Sequence, residues 1–439
     1  MVAAAAGAAA LLAACSDGGG GGGDGPTVVT VWDRAGAEAD ARQPFIEEWN
    51  RTVGAEEGIR IEYVPQAIER YEEIVRQGFQ TDRAPDVFHA PSALMGGFVA
   101  AGWVAPIDDV VSEDVLAQAE PYLQDTSELV WGGRPYGIPT VRSNVRMIIN
   151  RELFEQAGLD PDQPPETFSE VEDAARAITE SGGGDAYGVA LPVGWIGFSQ
   201  WVVDLVPMAS NPDLAQNGLF DISTGEYVSQ DYEPVVRHYQ RLIDEGWAYP
   251  GATELDIDTA ASAFAEGEVG MILQGGAFTS AVAQLDSDVE MSTGPIPVAD
   301  GEELAQVPMN AGFPYSISST AEDPEAAGRV LEVFAGEEMQ SALAEEGVPP
   351  LDENAWEVAV QANPYLEHFA LDDLDTQWPK HPGGVIELEG EPVPETIERL
   401  VLTPDADVPG ELDGLSQRYQ QAFEEAIENG TVERDEFVQ

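Results

Sequence analysis

Residues 27–32 read Thr-Val-Val-Thr-Val-Trp, a run rich in β-branched side chains that is typical of a strand. Apolar residues at helical spacing follow in 38–52, and the alternating run 59–64 (IRIEYV) predicts a second strand. A helix over 68–80 and a third strand over 84–89 (APDVFH) complete a β-α-β-α-β order. This order predicts a parallel sheet with helices on its faces and a ligand site beyond the carboxyl ends of the strands.

The rest of the chain keeps alternating between strand and helix patterns. Residues 138–150 form a β-rich stretch that runs into a helix over 151–157, which Gly158 ends. Thr167 and Glu170 have the spacing of a capping box. Further helices are predicted over 234–245, 259–266, 323–334 and 416–428, and further strands over 269–273 and 311–318. The sequence has no internal repeat and, after Gly25, no long linker, so we expect two lobes woven together by several crossings.

The strongly acidic composition argues against two classes of binding partner, nucleic acids and anionic membranes. The 439 residues include 81 Asp and Glu against 19 Lys and Arg, for a formal net charge of -62, and 43% are hydrophobic. A chain this apolar can bury a core, so its acidity does not indicate disorder. The charge argues against nucleic acid and against anionic membrane surfaces, because both would repel the chain.

The acidic residues are spread along the whole sequence, and Lys380 is its only lysine. A large excess of solvated carboxylates suits a protein that folds in high salt, where screening reduces self-repulsion. Cation binding is the alternative explanation, and it would favour a clustered distribution of acids. The spread therefore favours a protein adapted to salt.

The single cysteine, Cys15, follows a short apolar run at residues 3–14 (AAAAGAAALLAA). This run is too short for a permanent transmembrane helix and long enough for the apolar region of a signal peptide, although no lysine or arginine precedes it. Leu12-Ala13-Ala14-Cys15 resembles the lipobox of bacterial lipoproteins, which implies cleavage and lipidation at Cys15. We therefore expect a signal peptide with lipobox over 1–15 and a flexible Gly-rich tether over 16–26, with an alanine-rich N-terminal helix as the alternative.

The sequence contains none of the strong catalytic signatures. Gly-x-Ser-x-Gly, His-Glu-x-x-His, the phosphate-binding P-loop and Cys-x-x-Cys are all absent. The four histidines, at 89, 238, 368 and 381, are too scattered to predict a metal site. The sequence therefore predicts neither an enzyme nor a bound metal or cofactor.

Four segments, in this order, resemble the extracellular solute-binding proteins of ABC importers, in the carbohydrate-binding branch that includes maltose-binding protein. They match that family's patterns "PDV…G…PLD", "G…YG(I/L)P…YN(K/R)(D/E)LFEKAGL" and "F..GKAAM", and its "PEAA…" helix with the turn that follows. In this chain they are 84–88 with 102–108, 133–139 with 148–159, 263–271, and 324–334 with Gln340 and 347–350. Together they cover residues 27–360, and the resemblance is specific to the family rather than to a ligand.

The resemblance implies an α/β fold of the periplasmic-binding-protein type, with two lobes joined by hinge crossings. Each lobe is expected to be a mostly parallel sheet flanked by helices. The first lobe would comprise 27–138 plus 297–345, and the second 139–296 plus 346–439. The chain would be a lipid-anchored monomer at the extracellular face of the membrane, or in the periplasm where an outer membrane exists. It would capture a sugar, as an oligosaccharide or glycoside, by lobe closure and deliver it to the permease subunits of an ABC importer, without a cofactor.

Sugars offer an apolar face and a rim of hydroxyls, so their sites combine aromatic rings with planar polar side chains. Strand ends, the matched crossing, a Gly-rich loop and two turns supply such candidates. They are Trp32 and Asp33, His89 and Ser92, Arg142, Ser143 and Asn144, Trp195, Phe198 and Trp201, Gln274, Gly276 and Phe278, and Asn310, Gly312 and Phe313. The turn at Gln274 replaces the family's Asn-Gly-x-Trp, which leaves Phe278 as a possible substitute for the missing ring.

Alternatives remain open for residues and function alike. Each aromatic could be a core residue, and Asp33 could cap a helix. The same fold could bind a polyamine or another small solute, although a polyamine needs several converging carboxylates and Asp33 is the single acidic candidate. A secreted carbohydrate-active enzyme, which would require a pair of carboxylates, and a surface interaction protein are further alternatives.

Overall fold

The structure, a computed structural model, describes residues 25–67, 70–285, 287–310, 312 and 314–439. The predicted signal peptide, Cys15, nearly all of the predicted tether and Phe313 lie outside these residues. Within the described residues, sixteen strands form. They are β1 Thr27–Arg34, β2 Ile59–Gln66, β3 Val87–His89, β4 Val104–Ala105, β5 Val130–Trp131, β6 Arg134–Pro135, β7 Val145–Asn150, β8 Tyr187–Val189, β9 Leu214–Ala215, β10 Phe220–Asp221, β11 Glu226–Tyr227, β12 Val269–Gly275, β13 Met291–Gly294, β14 Val307–Met309, β15 Tyr315–Ser318 and β16 Asp375–Gln377.

Sixteen α-helices alternate with these strands over the same part of the chain. They are α1 Ala37–Arg51, α2 Val53–Glu57, α3 Tyr71–Gln80, α4 Met95–Ala100, α5 Glu113–Gln118, α6 Arg151–Gln156, α7 Phe168–Gly182, α8 Leu205–Ser210, α9 Glu233–Asp244, α10 Ile257–Ala265, α11 Gly276–Ala283, α12 Pro324–Ala335, α13 Glu337–Glu345, α14 Glu353–Ala362, α15 Val393–Val401 and α16 Val408–Glu428. No helix among the described residues is long and apolar enough to cross a membrane.

Two sheets organise the two lobes. The first has the order β2-β1-β3-β15-β4, and the second β13-β7-β12-β8. In the first sheet, the opening strand pairs in parallel with β2 and β3, as the β-α-β-α-β pattern predicts. The two-lobe α/β fold that the resemblance implies is therefore confirmed.

Each sheet is mostly parallel, as expected, and one strand in each runs against all the others. In the first sheet β15 is antiparallel to both β3 and β4, and in the second sheet β7 is antiparallel to both β12 and β13. The reason is the hinge: β7 and β15 each follow a crossing between the lobes, so each enters its sheet at the edge where the parallel strands end. Such a strand must run back against them.

Three crossings lie side by side at the hinge. Thr140 donates its backbone N–H to the carbonyl oxygen of Gly312 at 3.2 Å, and Arg142 donates its own to that of Pro349 at 3.1 Å. The side chain of buried Gln340 joins two crossings, because its amide nitrogen donates to the Thr140 carbonyl (2.9 Å) and its amide oxygen accepts from the Leu351 N–H (2.7 Å). The crossings are thus fixed to one another by hydrogen bonds.

Local signals explain where several helices begin. The capping box predicted at Thr167 and Glu170 is present, with each side chain bonded to the other residue's backbone N–H. Helix α16 begins at Val408, capped by Asp407, eight residues before the predicted start. The sequence does not predict this early start because Pro409, Gly410 and Gly414 follow it. Proline fits only the first turn of a helix, and glycine is a weak helix former.

The predicted lobe boundaries remain a proposal. β1, β2, β3 and β15 fall in the proposed first lobe, and β7, β8, β12 and β13 in the second. β14, in the segment given to the first lobe, pairs instead with β16. Gln306, just before it, donates to the carbonyl of Met208 in α8 at 2.8 Å. These contacts favour a boundary near residue 310 rather than 297.

Candidate functional site

A cavity of about 120 Å³ lies between the lobes, beyond the carboxyl ends of β1 and β3. One wall comes from the first lobe and the other from the loop after β8 in the second. The lining residues are Arg34, Tyr71, Glu72 and Pro91 on one side and Trp195, Ile196, Gly197, Gln200 and Trp201 on the other. The strand ends therefore meet a cavity where the β-α-β pattern predicts one.

Tyr71 fixes the geometry of the first-lobe wall. Its hydroxyl donates to the carbonyl oxygens of Trp32 (3.1 Å) and His89 (2.8 Å), the residues near the ends of β1 and β3. Because the ring itself is buried, this bridge holds the start of α3 against both strand ends. The wall that faces the second lobe is therefore rigid at the point where the two strands finish.

Asp33, a predicted ligand contact, is instead engaged inside the first lobe. The side chain is 1% exposed, and its carboxylate pairs with Arg42 at 3.2 Å and accepts a hydrogen bond from the Tyr63 hydroxyl. Arg42 also donates to the Thr140 hydroxyl at 3.0 Å, on the first hinge crossing. This cluster joins β1, α1 and the hinge, so the structure gives Asp33 a structural role.

His89 is buried at the end of β3. Its Nδ1 lies 3.2 Å from the carbonyl oxygen of Pro314, which can only accept, so Nδ1 carries the hydrogen. Burial lowers the pKa of His89 well below its usual value, and the positive charges of Arg34 and Arg42 lower it further. The imidazole is thus neutral and holds the crossing before β15 against the strand end.

The second-lobe wall is built around the ring of Trp195. A Cβ on Gly197 would lie 2.5 Å from that ring, so only glycine lets the indole fold over the loop. Beside it, Ile196 is 71% exposed, more than any other large apolar side chain among the described residues. The loop thus presents an apolar surface to the cavity.

Trp201 also lines the cavity and packs against Trp378. The sequence analysis missed Trp378 and its neighbour Gln377. The Trp201 ring lies 5.0 Å from that of Trp378, at an angle of 56°. Trp378 and Gln377 reach this position because β16 pairs with β14, and the Trp378 N–H donates to the carbonyl of Met309 at 2.8 Å. The sequence signal for these residues is a tryptophan between Gln377 and Pro379, but no family motif flanks it, so the sequence does not distinguish a cleft residue from a core residue.

Several buried polar side-chain atoms have no hydrogen-bond partner among the described residues, and five of these belong to sequence candidates or to Gln377 and Trp378. They are Ser92 Oγ, Gln274 Nε2, Asn310 Oδ1, Gln377 Nε2 and Trp378 Nε1. Buried polar groups are paired in the great majority of cases, so such a group calls for an explanation. Three of these five residues, Ser92, Gln274 and Asn310, are candidates from the sequence.

The predicted crossing residues Arg142 and Asn144 have protein partners. Arg142 bonds to the Leu351 carbonyl and to Glu353, and its guanidinium lies 4.6 Å from the centre of the Trp356 ring. Asn144 donates to Asp375 at 3.0 Å. Both side chains therefore hold the hinge together, while Ser143 between them is half-buried and close to Gly312.

The structure places the remaining candidates in packing positions. Phe198 is 2% exposed and packs against Tyr239, and Phe278 is 4% exposed and meets Phe264 edge-on. Gly276 lies at the start of α11, where a Cβ would approach Leu366 and Phe369. The burial of Phe278 argues against its use as a substitute stacking ring, because helical packing turns it into the core of the second lobe.

Trp32 is also used for packing. A Cβ on Gly78 of α3 would lie 2.9 Å from its ring, so the indole covers this helix on the face of the sheet. Strand alternation explains the outcome, since Val31 and Asp33 point to the opposite face and are almost fully buried. The backbone of Trp32, rather than its ring, contributes to the cavity wall through Tyr71.

Charge in the cavity comes from Arg34 and Glu72. Burial raises the pKa of Glu72, and the nearby Arg76 and Arg34 partly oppose that rise. Glu72 is the one carboxylate among the described residues that line this cavity. Within the described part of the chain, no group of three or more His, Cys, Asp or Glu side chains could hold a metal ion.

These features match a known family. Residues 22–341 match the family described as "Bacterial extracellular solute-binding protein", and the chain belongs to this family. The maltotriose-binding protein of Pyrococcus abyssi is 23% identical over 234 residues, which are 53% of this chain and 46% of that protein. The sn-glycerol-3-phosphate-binding periplasmic protein of Agrobacterium fabrum is 29% identical over 222 residues, or 46% of this chain and 47% of that protein. The chain thus matches about half the length of these curated relatives.

Solved structures share the fold over nearly the whole chain. The GacH receptor of Streptomyces glaucescens, solved unliganded and with acarbose, is similar with a TM-score of 0.70 at 18% identity. The similarity covers 91% of this chain and 99% of that structure. At this identity, the comparison supports the two-lobe fold alone.

Proposed function

We propose that this solute-binding protein captures a neutral sugar, as an oligosaccharide or glycoside, between its lobes. The observation that carries the proposal is the combination of aromatic surface with unpaired polar atoms. Trp195 and Trp201 offer aromatic surface to the cavity. Buried polar atoms without a partner among the described residues lie next to the lining, at Ser92, which follows Pro91, and at Trp378, which packs against Trp201. An apolar face and a hydroxyl rim are the two features of a sugar that such a combination recognises.

The curated relatives support the same class. One is named for binding maltotriose, and a structural neighbour was solved with acarbose. The cavity of about 120 Å³ is smaller than the roughly 300–1,000 Å³ of typical ligand pockets. An oligosaccharide therefore requires the lobes to separate and close again around it, which the three hinge crossings allow.

A polyamine is the weaker alternative. It needs several carboxylates, whereas Glu72 is alone among the described lining residues and faces Arg34. The same single carboxylate does not supply the pair, about 5–9.5 Å apart, that glycoside hydrolysis ordinarily uses. Capture without chemistry is therefore favoured over a carbohydrate-active enzyme.

A phosphorylated solute is the second candidate, because one relative is named for binding sn-glycerol 3-phosphate and Arg34 lines the cavity. Long-range electrostatics oppose it, since a chain of net charge -62 repels an anion. Molar salt would screen this repulsion, so the two solutes must be compared directly.

A thermal-shift screen in molar salt tests the proposal. The ligands are maltotriose, raffinose, acarbose, glycerol 3-phosphate and spermidine, each over a concentration series. A ligand at 100 times its Kd adds about 2.7 kcal/mol to the free energy of unfolding, which raises the midpoint visibly. A rise with neutral sugars alone supports the proposal. A rise with glycerol 3-phosphate or spermidine alone, or turnover of a glycan, would contradict it.

We further propose that Cys15 anchors the protein at the extracellular face and that the loaded form delivers its solute to the permease subunits of an ABC importer. The apolar run before Cys15 and the family membership support this role. Replacing Cys15 with Ala should move the protein from the membrane fraction to the soluble fraction after cell lysis. Unchanged membrane association would contradict the anchor while leaving solute capture unaffected.

A further inference from the structure

Two backbone segments, one in the proposed first lobe and one in the proposed second lobe, lie in direct contact. They are residues 92–97 and residues 382–385, which together we name the closing contact. A Cβ on Gly97 would lie 2.6 Å from the carbonyl oxygen of Gly384, and a Cβ on Gly384 would lie 2.6 Å from that of Ala93. Side chains do not tolerate such distances, so these two positions exclude any residue larger than glycine unless the segments move apart.

Close approach, rather than an unusual turn, explains these glycines. Neither Gly97 nor Gly384 has a positive φ angle, so alanine could adopt either backbone conformation. Gly97 also lies inside helix α4, where alanine would be the better helix former. Glycine is therefore required at Gly97 and Gly384 because the backbone of the opposite segment lies too close to allow a Cβ atom.

A hydrogen bond and a buried His–Glu pair join the segment that precedes residues 382–385 to residues 126–128 of the proposed first lobe. The Lys380 N–H donates to the carbonyl oxygen of Thr126 at 2.8 Å, and His381 Nε2 lies 3.2 Å from the carboxylate of Glu128. The side chains of His381 and Glu128 are 2% and 6% exposed. Buried polar pairs and close glycine-to-backbone contacts together indicate that the two segments are complementary in shape and in hydrogen bonding.

The closing contact lies next to the candidate site. Its first segment begins at residue 92, directly after Pro91, which lines the cavity. Its second segment begins four residues after Trp378, which packs against Trp201, a lining residue of the second-lobe wall. Because the hinge crossings at 139–144 and 347–352 join the lobes elsewhere, separation of the lobes must part this contact. Its strength therefore contributes directly to the balance between closed and open forms.

We propose that Gly97 and Gly384 are positioning residues for solute capture, and that their close approach holds the cleft closed. The inference rests on the proposed capture by lobe closure, but not on the identity of the solute. A bulkier residue at either position would favour the open form and weaken binding of any solute that requires closure.

Distance measurement between the lobes tests this without a ligand. Cys15 is the only cysteine in the sequence, so Cys15→Ser in the full chain removes every native thiol. Spin labels are placed by Arg51→Cys in α1 and Asp173→Cys in α7, whose side chains are 71% and 74% exposed. Pulsed dipolar spectroscopy in molar salt then gives the populations of short and long distances.

Gly97→Ala and Gly384→Ala should each lower the closed-to-open ratio by about tenfold, the usual scale of overpacking by one methyl group. The midpoint of thermal unfolding should stay within about 2 °C of the parent, because no lobe core is changed. The double variant should resemble the single ones, since both break one contact. Gly414→Ala in α16 is the control, because its Cβ meets only the flexible Arg418 side chain at 3.6 Å.

The proposal fails if both variants keep the parent's distance distribution. A lower unfolding midpoint with unchanged distances would mean that residues 382–385 move with the first lobe. Unchanged values of both would mean that the contact adapts at no cost. Because no solute is present, a failure of the sugar assignment would leave these distances as expected, and the two proposals are tested separately.

Discussion

The two walls of the cleft use polar and aromatic residues in opposite ways. At the first-lobe strand ends, Asp33 and His89 are buried and bonded to protein groups such as Arg42 and Pro314. In the second-lobe loop, Trp195 lines the cavity and Ile196 is 71% exposed. The same positional rule, that residues after sheet strands meet a ligand, selects candidates on both walls. On the first wall, Asp33 and His89 fix the hinge and only Ser92 keeps an unpartnered polar atom, whereas on the second wall Trp195 and Trp201 line the cavity.

The largest effect should come from breaking the buried pair of the first wall. Arg42→Met would leave the Asp33 carboxylate buried without its cation and would also release Thr140. Loss of one partner of a buried pair costs about 3–5 kcal/mol of unfolding free energy. Denaturant unfolding measures it, with Arg51→Met as the control, since Arg51 and Glu48 form an exposed pair worth at most about 1 kcal/mol. Similar losses for both variants would mean that the first wall is not held by this pair.

A second buried carboxylate sharpens the contrast. Asp204, in the second lobe, accepts hydrogen bonds from the Tyr232 hydroxyl (2.7 Å) and the Asn217 N–H (2.9 Å). Burial raises its pKa to about 6, despite these hydrogen bonds and the nearby His381. In the unfolded chain an aspartate has a pKa of about 3.9.

Between pH 4 and 6 the folded state therefore binds more protons than the unfolded state, and stability falls as pH rises. The total change is about 3 kcal/mol, since one pKa unit corresponds to about 1.4 kcal/mol. Asp204→Asn keeps the shape and one acceptor oxygen, which can serve the Asn217 N–H, while its NH2 group can donate to the Tyr232 hydroxyl; the substitution removes this slope. The other carboxylates titrate equally in both proteins, so the difference in unfolding free energy between them isolates Asp204. A constant difference across pH 4–6 would contradict the raised pKa.

The second wall should respond in binding rather than in stability. Trp195→Ala removes a ring that lines the cavity, and an aromatic contact with a ligand is worth roughly 1–3 kcal/mol, or about 5- to 150-fold in Kd. Phe198→Leu, three residues on, should cost about 1 kcal/mol of stability and leave Kd unchanged, since its ring lies in the core. Titration calorimetry with the best solute from the screen, beside thermal unfolding, separates these effects. Equal losses of affinity would contradict the division between the two residues.

The sequence predicts order better than direction. The strand and helix order of residues 27–89 follows from composition and periodicity, because local preference and burial agree there. The antiparallel runs of β7 and β15 could not be predicted this way, since direction depends on where the hinge returns the chain.

At the candidate site, residue type and position identify Trp195, Trp201 and three of the unpartnered polar residues. They do not reveal that Asp33 faces Arg42, because that pair depends on how α1 packs. The positions of Gln377 and Trp378 could not be predicted for a similar reason. They depend on the pairing of β16 with β14, which lies 68 residues earlier in the sequence. Local patterns contain no trace of such a distant pairing.

Trp378 gives the smallest and most specific test of the contrast. Its indole is 2% exposed, and its Nε1–H has no acceptor among the described residues, although the ring packs on Trp201. Trp378→Phe keeps an aromatic ring but removes the donor. If a solute oxygen accepts this hydrogen bond, the variant should bind about fivefold to tenfold more weakly, as expected for loss of roughly 1 kcal/mol. Its stability should fall no further than the smaller ring explains, because no protein bond is broken. Unchanged affinity with lower stability would make Trp378 a packing residue behind Trp201, and the second wall would then act through Trp195 and Trp201 alone.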